Sequence, residues 1–288
     1  GADVIESNSF GANRIKLARY GMADWVREIN EAAAKLARAA AGEDVYVAGA
    51  MGPCLSPGAS WRAELADELS GVFAEQAAAL AAGGVDLLLL ETFSLLEEAK
   101  VAALAASATG LPVFASFAFG ANGETALGTK LESVVRDLDA DPAIAGIGLN
   151  CGVGPADAYD LVEKAVSFTH KPVVIMPNAG MPKDVDGRLI YMSNPEYFTE
   201  YAKRFIEMGA RGVGGCCGTT PEHIRMAAKA VKTLSGVKRH VAIQPAAATE
   251  RPDVALVPAN RKSRFAHLML SGKKVTSVEL TPPRSTDL

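Results

Sequence analysis

The amino-acid sequence predicts an α/β fold of the (β/α)8 barrel type. Two patterns and one placement point to it. Short β-rich apolar runs alternate with amphipathic helical runs, giving seven strand-then-helix units within residues 1–235. The strand runs are nearly continuous in apolar residues, which means burial on both faces and a parallel sheet with helices outside. Polar and reactive residues fall at the C-terminal ends of those runs, the edge where such barrels carry their active sites. A doubly wound open sheet is the competing fold. It usually carries a glycine fingerprint after an early strand, and no G-x-G-x-x-G follows one here.

The elements run in order. ADVIES (2–7) reads as a strand and is followed by a helix over 14–41. DVYVAGA (44–50) leads to a helix over 61–82, and VDLLLLET (85–92) to one over 94–108. LPVFASFAF (111–119) precedes a helix over 129–139, and IAGIGLNC (144–151) one over 155–169. PVVIMPN (172–178) precedes a helix over 194–208, and RGVGGCC (211–217) one over 220–235. Seven units are one short of eight, and Gly1 stands directly before a strand, so the barrel's first strand is expected upstream. Residues 1–236 are therefore read as the barrel. Residues 237–262 are rich in Pro and Ala without sustained periodicity and read as a linker. Residues 263–288 give a short helix, a turn at Ser271-Gly272 and a strand ending in Pro-Pro, the opening of a second domain.

Composition narrows the function. A net charge of −4 gives no basic footprint for nucleic acid. The longest apolar runs are too short to span a bilayer, and no signal peptide opens the chain. Four cysteines in 288 residues do not make a disulfide scaffold. The expected setting is the reducing cytoplasm, where clustered cysteines suggest a metal or catalysis.

Three of the four cysteines, Cys151, Cys216 and Cys217, end strand candidates and face one basin. A catalytic zinc takes three protein ligands and keeps a position open, and soft thiolate ligands suit it. The helix after Cys217 begins TTPEHI, where a Thr cap and an early Pro suit a helix start. Its positive end would favour thiolates nearby. Strand-end cysteines also occur as small buried hydrophobes, and the adjacent pair lacks the C-x2-C spacing of common structural zinc sites. The cysteines alone leave both readings open. His223 reads as a first-turn helix residue rather than a ligand.

GLNCGVGP (148–155), VVIMPNAGMP (173–182) and GVGGCCGTTPEHI (212–224) closely resemble the homocysteine S-methyltransferase family. GADVIESNSFGAN (1–13) and VDLLLLETFSLLEEAK (85–100) are similar to it as well. The resemblance covers roughly residues 1–236 and implies a (β/α)8 barrel holding zinc through Cys151, Cys216 and Cys217. It implies homocysteine as substrate, with a methyl donor, and methionine as product. It gives Glu91 the homocysteine ammonium. Asn178 matches the side chain that can occupy the fourth zinc position without homocysteine, and Asn8 lines the basin. Structural alternatives are a loop salt bridge for Glu91 and a turn beside Gly180 for Asn178. The family's opening strand with its DGAMGT-like turn has no counterpart here. AGAMGP (48–53) belongs to a later unit, so activity is expected of the parent protein.

SRFAHLMLSGKKVTSVELTPPRSTDL (263–288) resembles the start of methylenetetrahydrofolate reductase, with Glu279 matching its folate-protonating glutamate. A complete domain of that kind implies folate and FAD, and a parent coupling methyl-folate production to homocysteine methylation. The methyl donor and oligomeric state stay open. A non-catalytic zinc module scaffolding the reductase is the alternative, although a purely structural site would normally close with a fourth Cys or His. A Schiff-base barrel lyase would want a strand-end lysine, and the strand ends show none.

Overall fold

Each apolar run of the sequence becomes a parallel strand beside its chain neighbour, as short β–α–β connections require. The computed structural model describes residues 1–56, 58–180, 182–185, 188–191 and 194–234. The expected linker and the reductase-like segment with Glu279 lie outside them. The strands are β1 (Val4–Glu6), β2 (Tyr46–Met51), β3 (Leu87–Phe93), β4 (Val113–Phe117), β5 (Gly146–Asn150), β6 (Val173–Met176) and β9 (Gly212–Val213). They form one seven-stranded sheet in the order β1-β2-β3-β4-β5-β6-β9, parallel throughout. The helices between them are α1 (Arg14–Ala18), α2 (Val26–Ala41), α3 (Ala66–Ala82), α4 (Leu96–Ser107), α5 (Leu131–Ala140), α6 (Pro155–Ser167), α7 (Pro195–Met208) and α8 (Pro221–Leu234). This is the seven-unit (β/α)8-type barrel the sequence predicts, with β1 and β9 at the two sheet edges. Lys232 of α8 reaches Asp3 at 2.9 Å and the carbonyl of Gly1 at 3.2 Å, so the last helix meets the start of the first strand. That pair is too exposed to hold the barrel shut, but it marks how far the sheet curls.

Strand register decides which residues face the lumen. Ala48 pairs with Leu87, Leu89 with Phe114, Phe114 with Gly146, Ser116 with Gly148, Gly148 with Val174 and Asn150 with Met176. Ala48, Leu89 and Met176, with Leu87, Phe114 and Val174, pack as one inner cluster. The alternate residues, such as Leu88, Leu90, Val113, Ile147 and Ile175, pack outward under the helices in the main core. Two strands feed the lumen with glycine because neighbours fill it. A Cβ on Gly148 would lie 2.5 Å from Cβ of Ser116, and one on Gly214 would lie 2.9 Å from Cγ of Met176.

Two local features differ from the expected elements. The helix expected over 14–41 is broken. Asn13 caps α1 by accepting from the Lys16 amide at 2.9 Å, and the chain then turns at Gly21 with φ +69°. A 3-10 turn over Ala23–Trp25 restarts it as α2. Gly at a left-handed position ends helices because it carries no Cβ penalty. The second feature is an added antiparallel hairpin, β7 (Pro182–Val185) with β8 (Arg188–Tyr191), between β6 and α7.

The inner glycine makes a stability prediction. Gly148→Ala overpacks the β4–β5 contact and lowers stability by about 1–3 kcal/mol. Urea unfolding checks this: the midpoint should fall with an unchanged slope. An unchanged midpoint would mean that Ser116 does not fill that space.

Candidate metal centre

Residues sixty-odd positions apart meet because the loops after β5, β6 and β9 are laced together by backbone hydrogen bonds. The Cys151 amide donates to the carbonyl of Met176 at 3.1 Å, extending the β5–β6 ladder past its end. The Asn178 amide donates to Val153 at 3.0 Å, the Cys216 amide to Pro177 at 2.9 Å and the Ala179 amide to Cys217 at 2.9 Å. The strand then has to turn sharply into α6. Cys151 takes φ +58° and Gly152 φ +70°, and a Cβ on Gly152 would collide with the carbonyl oxygen of Phe119. Gly152 is therefore a requirement of the turn that presents Cys151.

The result is a cluster in which Sγ of Cys151, Cys216 and Cys217 all lie within 4.8 Å of one another. Cys151 and Cys217 are 3.8 Å apart. A tetrahedral zinc with bonds of about 2.3 Å has sulfur–sulfur edges of about 3.8 Å, so the spacing suits that ion. Cys151 and Cys216 are half-buried and Cys217 is exposed, which leaves one side of the cluster open.

Electrostatics separates the thiols. Cys151 is held down to about 5, first by the Cys216 thiol, then by the Gly152 amide, Cys217 and Asn178, against the opposing effect of burial. Cys216 is pushed well above the usual thiol range by its bond to Cys151, by burial and by the neighbouring sulfur charges. The cluster thus ionises once readily, and each further thiolate meets a charge already present.

The other expected residues gather at the same barrel end. Glu91 sits half-buried on the lumen side of β3. Burial first, then the charges of Glu6 and Cys151, push its carboxyl up to about 8. Glu6, at the end of β1, is raised by loss of bulk water as well, although much of its surface still shows to the lumen. Asn178 is buried, and its Oδ1 accepts from the Cys217 amide at 3.1 Å. Asn8 is exposed beyond β1, beside Ser7 and Ser9. Those serines serve structure, since Ser9 donates to the Ala50 carbonyl at 2.7 Å and Ser7 accepts from the Ala50 amide at 3.1 Å. His223 stays out of the cluster, with Nδ1 2.8 Å from Oγ1 of Thr220 at the start of α8. Cys54 is buried apart from the others, and desolvation pushes its thiol up to about 12.

Two polar strand-end residues to which the sequence assigns no role, Thr92 and Asn150, belong to the site. Thr92 has φ +62°, a strained conformation for a β-branched side chain. Asn150 is 2% exposed and bonds to Thr92, Ser116 and Cys216 together. The available signal was a buried amide closing an apolar strand, which must find partners.

The family model described as homocysteine S-methyltransferase matches residues 1–231. The chain belongs to the homocysteine S-methyltransferase family. Methionine synthase of Mycobacterium tuberculosis (strain ATCC 25618 / H37Rv) is 33% identical over 258 residues, covering 85% of this chain and 22% of that protein. Methionine synthase of Mycobacterium leprae (strain TN) is 32% identical over 301 residues, covering 94% and 25%. The chain thus spans about a quarter of the length of these curated relatives. Among solved structures, the metallated form of the Escherichia coli homocysteine methyltransferase MmuM matches with TM-score 0.66 and 23% identity over 80% of both chains. Its oxidized form matches with TM-score 0.65 and 25% identity over the same shares. These matches support the barrel of the homocysteine S-methyltransferase family. No helix among the described residues is long and apolar enough to cross a membrane.

Thiol reactivity tests the electrostatic picture. In metal-free, reduced protein at pH 7, iodoacetamide should label Cys151 first and leave Cys54 unmodified, because the thiolate is the nucleophile. Peptide mapping by mass spectrometry reads the order. Labelling of Cys54 ahead of the cluster would contradict it.

Proposed function

We propose that the chain holds zinc through Cys151, Cys216 and Cys217 and transfers a methyl group to the sulfur of homocysteine, giving methionine. The observation that carries this reading is the cluster of three sulfurs within 4.8 Å, open on one side at the mouth of the barrel. Zinc bound there supplies a Lewis acid that turns an added thiol into a thiolate near neutral pH. The rest belongs to the chain. Three cysteine ligands leave room for a fourth, sulfur-bearing one, the pattern of a catalytic rather than a closed site. Asn178 fixes the Cys217 backbone. Glu91 lacks a cationic partner among the described residues and accepts the ammonium of the substrate, which places the sulfur end towards the cysteines. The homocysteine sulfur then attacks the methyl carbon opposite the donor. The new S–C bond forms as the donor–C bond breaks, and the donor keeps the electron pair. The reductase-like tail favours a folate-linked donor, and ready thiols suit a reducing, cytoplasmic setting.

Elemental analysis of reduced protein tests the metal. One zinc per chain is expected in the wild type and almost none in Cys217→Ala. A metal-free wild type would remove the proposed centre.

Glu91 makes a separate pH prediction. With its carboxyl at about 8, it carries a proton at pH 7 in the ligand-free site. An ammonium can replace that proton only as Glu91 ionises, so homocysteine affinity falls as pH drops below about 8. Calorimetry at pH 7 in buffers of different ionisation enthalpy should show about one proton fewer released by Glu91→Gln. The variant should also bind homocysteine at least about tenfold more weakly. Equal proton release by both proteins would take the ammonium away from Glu91.

A further inference from the structure

We propose that Asn150 is a positioning residue that ties the sulfur of Cys216 to the Glu91–Thr92 turn, joining the metal side of the site to its substrate side. Four contacts converge on this one buried amide. Its Oδ1 accepts from the Thr92 amide at 2.9 Å and from Oγ of Ser116 at 2.7 Å. Its Nδ2 donates to Oγ1 of Thr92 at 2.7 Å and lies 4.0 Å from Sγ of Cys216. The orientation of the amide is settled by chemistry. A backbone N–H can only donate, so the oxygen must face Thr92 N and the NH2 group must face the sulfur.

Each end of this amide has a consequence. At Cys216, an N–H directed at a thiolate withdraws part of its charge and fixes its direction, as outer partners of metal ligands do. At Thr92, two bonds from Asn150 hold a β-branched residue at φ +62°. Such strain persists only where the surroundings over-determine it. Glu91 is the residue before Thr92, so this turn sets the direction of its carboxylate. Serine at 116 and glycine at 148 leave the space the clamp needs, since a Cβ on Gly148 would run into Ser116.

The inference rests on the proposed function, and its test keeps the two apart. Asn150→Asp preserves shape and the acceptor for Thr92 N but loses both N–H donors. Asn150→Ala loses every contact. With Co2+ in place of zinc, removing the N–H raises sulfur donation, so both variants should move the sulfur-to-cobalt charge-transfer band to longer wavelength. Chelator competition should show about tenfold weaker zinc binding by Asn150→Ala. In zinc-saturated protein Asn150→Ala should raise the homocysteine KM more than Asn150→Asp does, because only the aspartate still holds Thr92. If Asn150→Ala does not fold, the cobalt spectrum of Asn150→Asp decides alone. A wild type that binds zinc, with unchanged spectra and KM in the variants, overturns the role of Asn150 and leaves the metal centre standing. A wild type that takes up neither zinc nor cobalt overturns both.

Discussion

Three sulfurs within 4.8 Å of one another repel strongly once more than one is ionised, and the mouth of this barrel is built around that constraint. The chain answers with oriented dipoles. The Gly152 amide and Asn178 favour the charge on Cys151, and Asn150 directs an N–H at Cys216. The start of α8 follows the cysteine pair within a few residues. None of these groups carries a full positive charge. They suffice for one thiolate, and on the proposed function a divalent cation would balance a set of three.

The same constraint explains the backbone. To bring the end of β5 against the loop after β9, the chain accepts a left-handed conformation at Cys151, and it accepts a second at Thr92 in β3, at a cost of about 1–3 kcal/mol each. Backbone bonds between the loops after β5, β6 and β9 hold the arrangement in place of regular sheet. The lumen below is solid enough to bear it. Phe114, Ser116, Val174 and Met176 fill the space beside glycines on the next strands, so the inner face is closely packed at these positions.

Much of this was legible in the sequence, for identifiable reasons. Continuous apolar runs such as DLLLL fix strands buried on both faces, and their spacing gave every strand of the sheet. The sulfur cluster was legible because Cys151, Cys216 and Cys217 each close such a run. Gly21 inside ARYGMADW is a weak sequence signal of the break in the first helix, because an isolated glycine is also tolerated within helices. The hairpin pairing Pro182–Val185 with Arg188–Tyr191 is hard to read from sequence because its strands are short and mixed in polarity, despite the Asp186-Gly187 turn signal. The bridge from Asn150 to Thr92 was out of reach. Sequence shows that a buried amide needs partners, while which strands it joins depends on register and on a bulge between Leu90 and Phe93.

The placement of Glu91 beside this cluster sets an electrostatic condition on any substrate. Burial, with the charges of Glu6 and Cys151, opposes ionisation of Glu91, and burial alone opposes that of Glu6, so the carboxyl side of the basin resists becoming negative. An anion entering alone would be repelled, and an apolar ligand would leave the carboxylates unsatisfied. A molecule with an ammonium at one end and a thiol at the other satisfies both demands. On the proposed function its ammonium would offset the charge Glu91 takes on as it gives up its proton, so that charge would not oppose a thiolate forming at the sulfur end. On the proposed function, recognition of the amino group and activation of the sulfur are coupled electrostatically, and Asn150 at the end of β5 links the two sides through its contacts with Thr92 and Cys216.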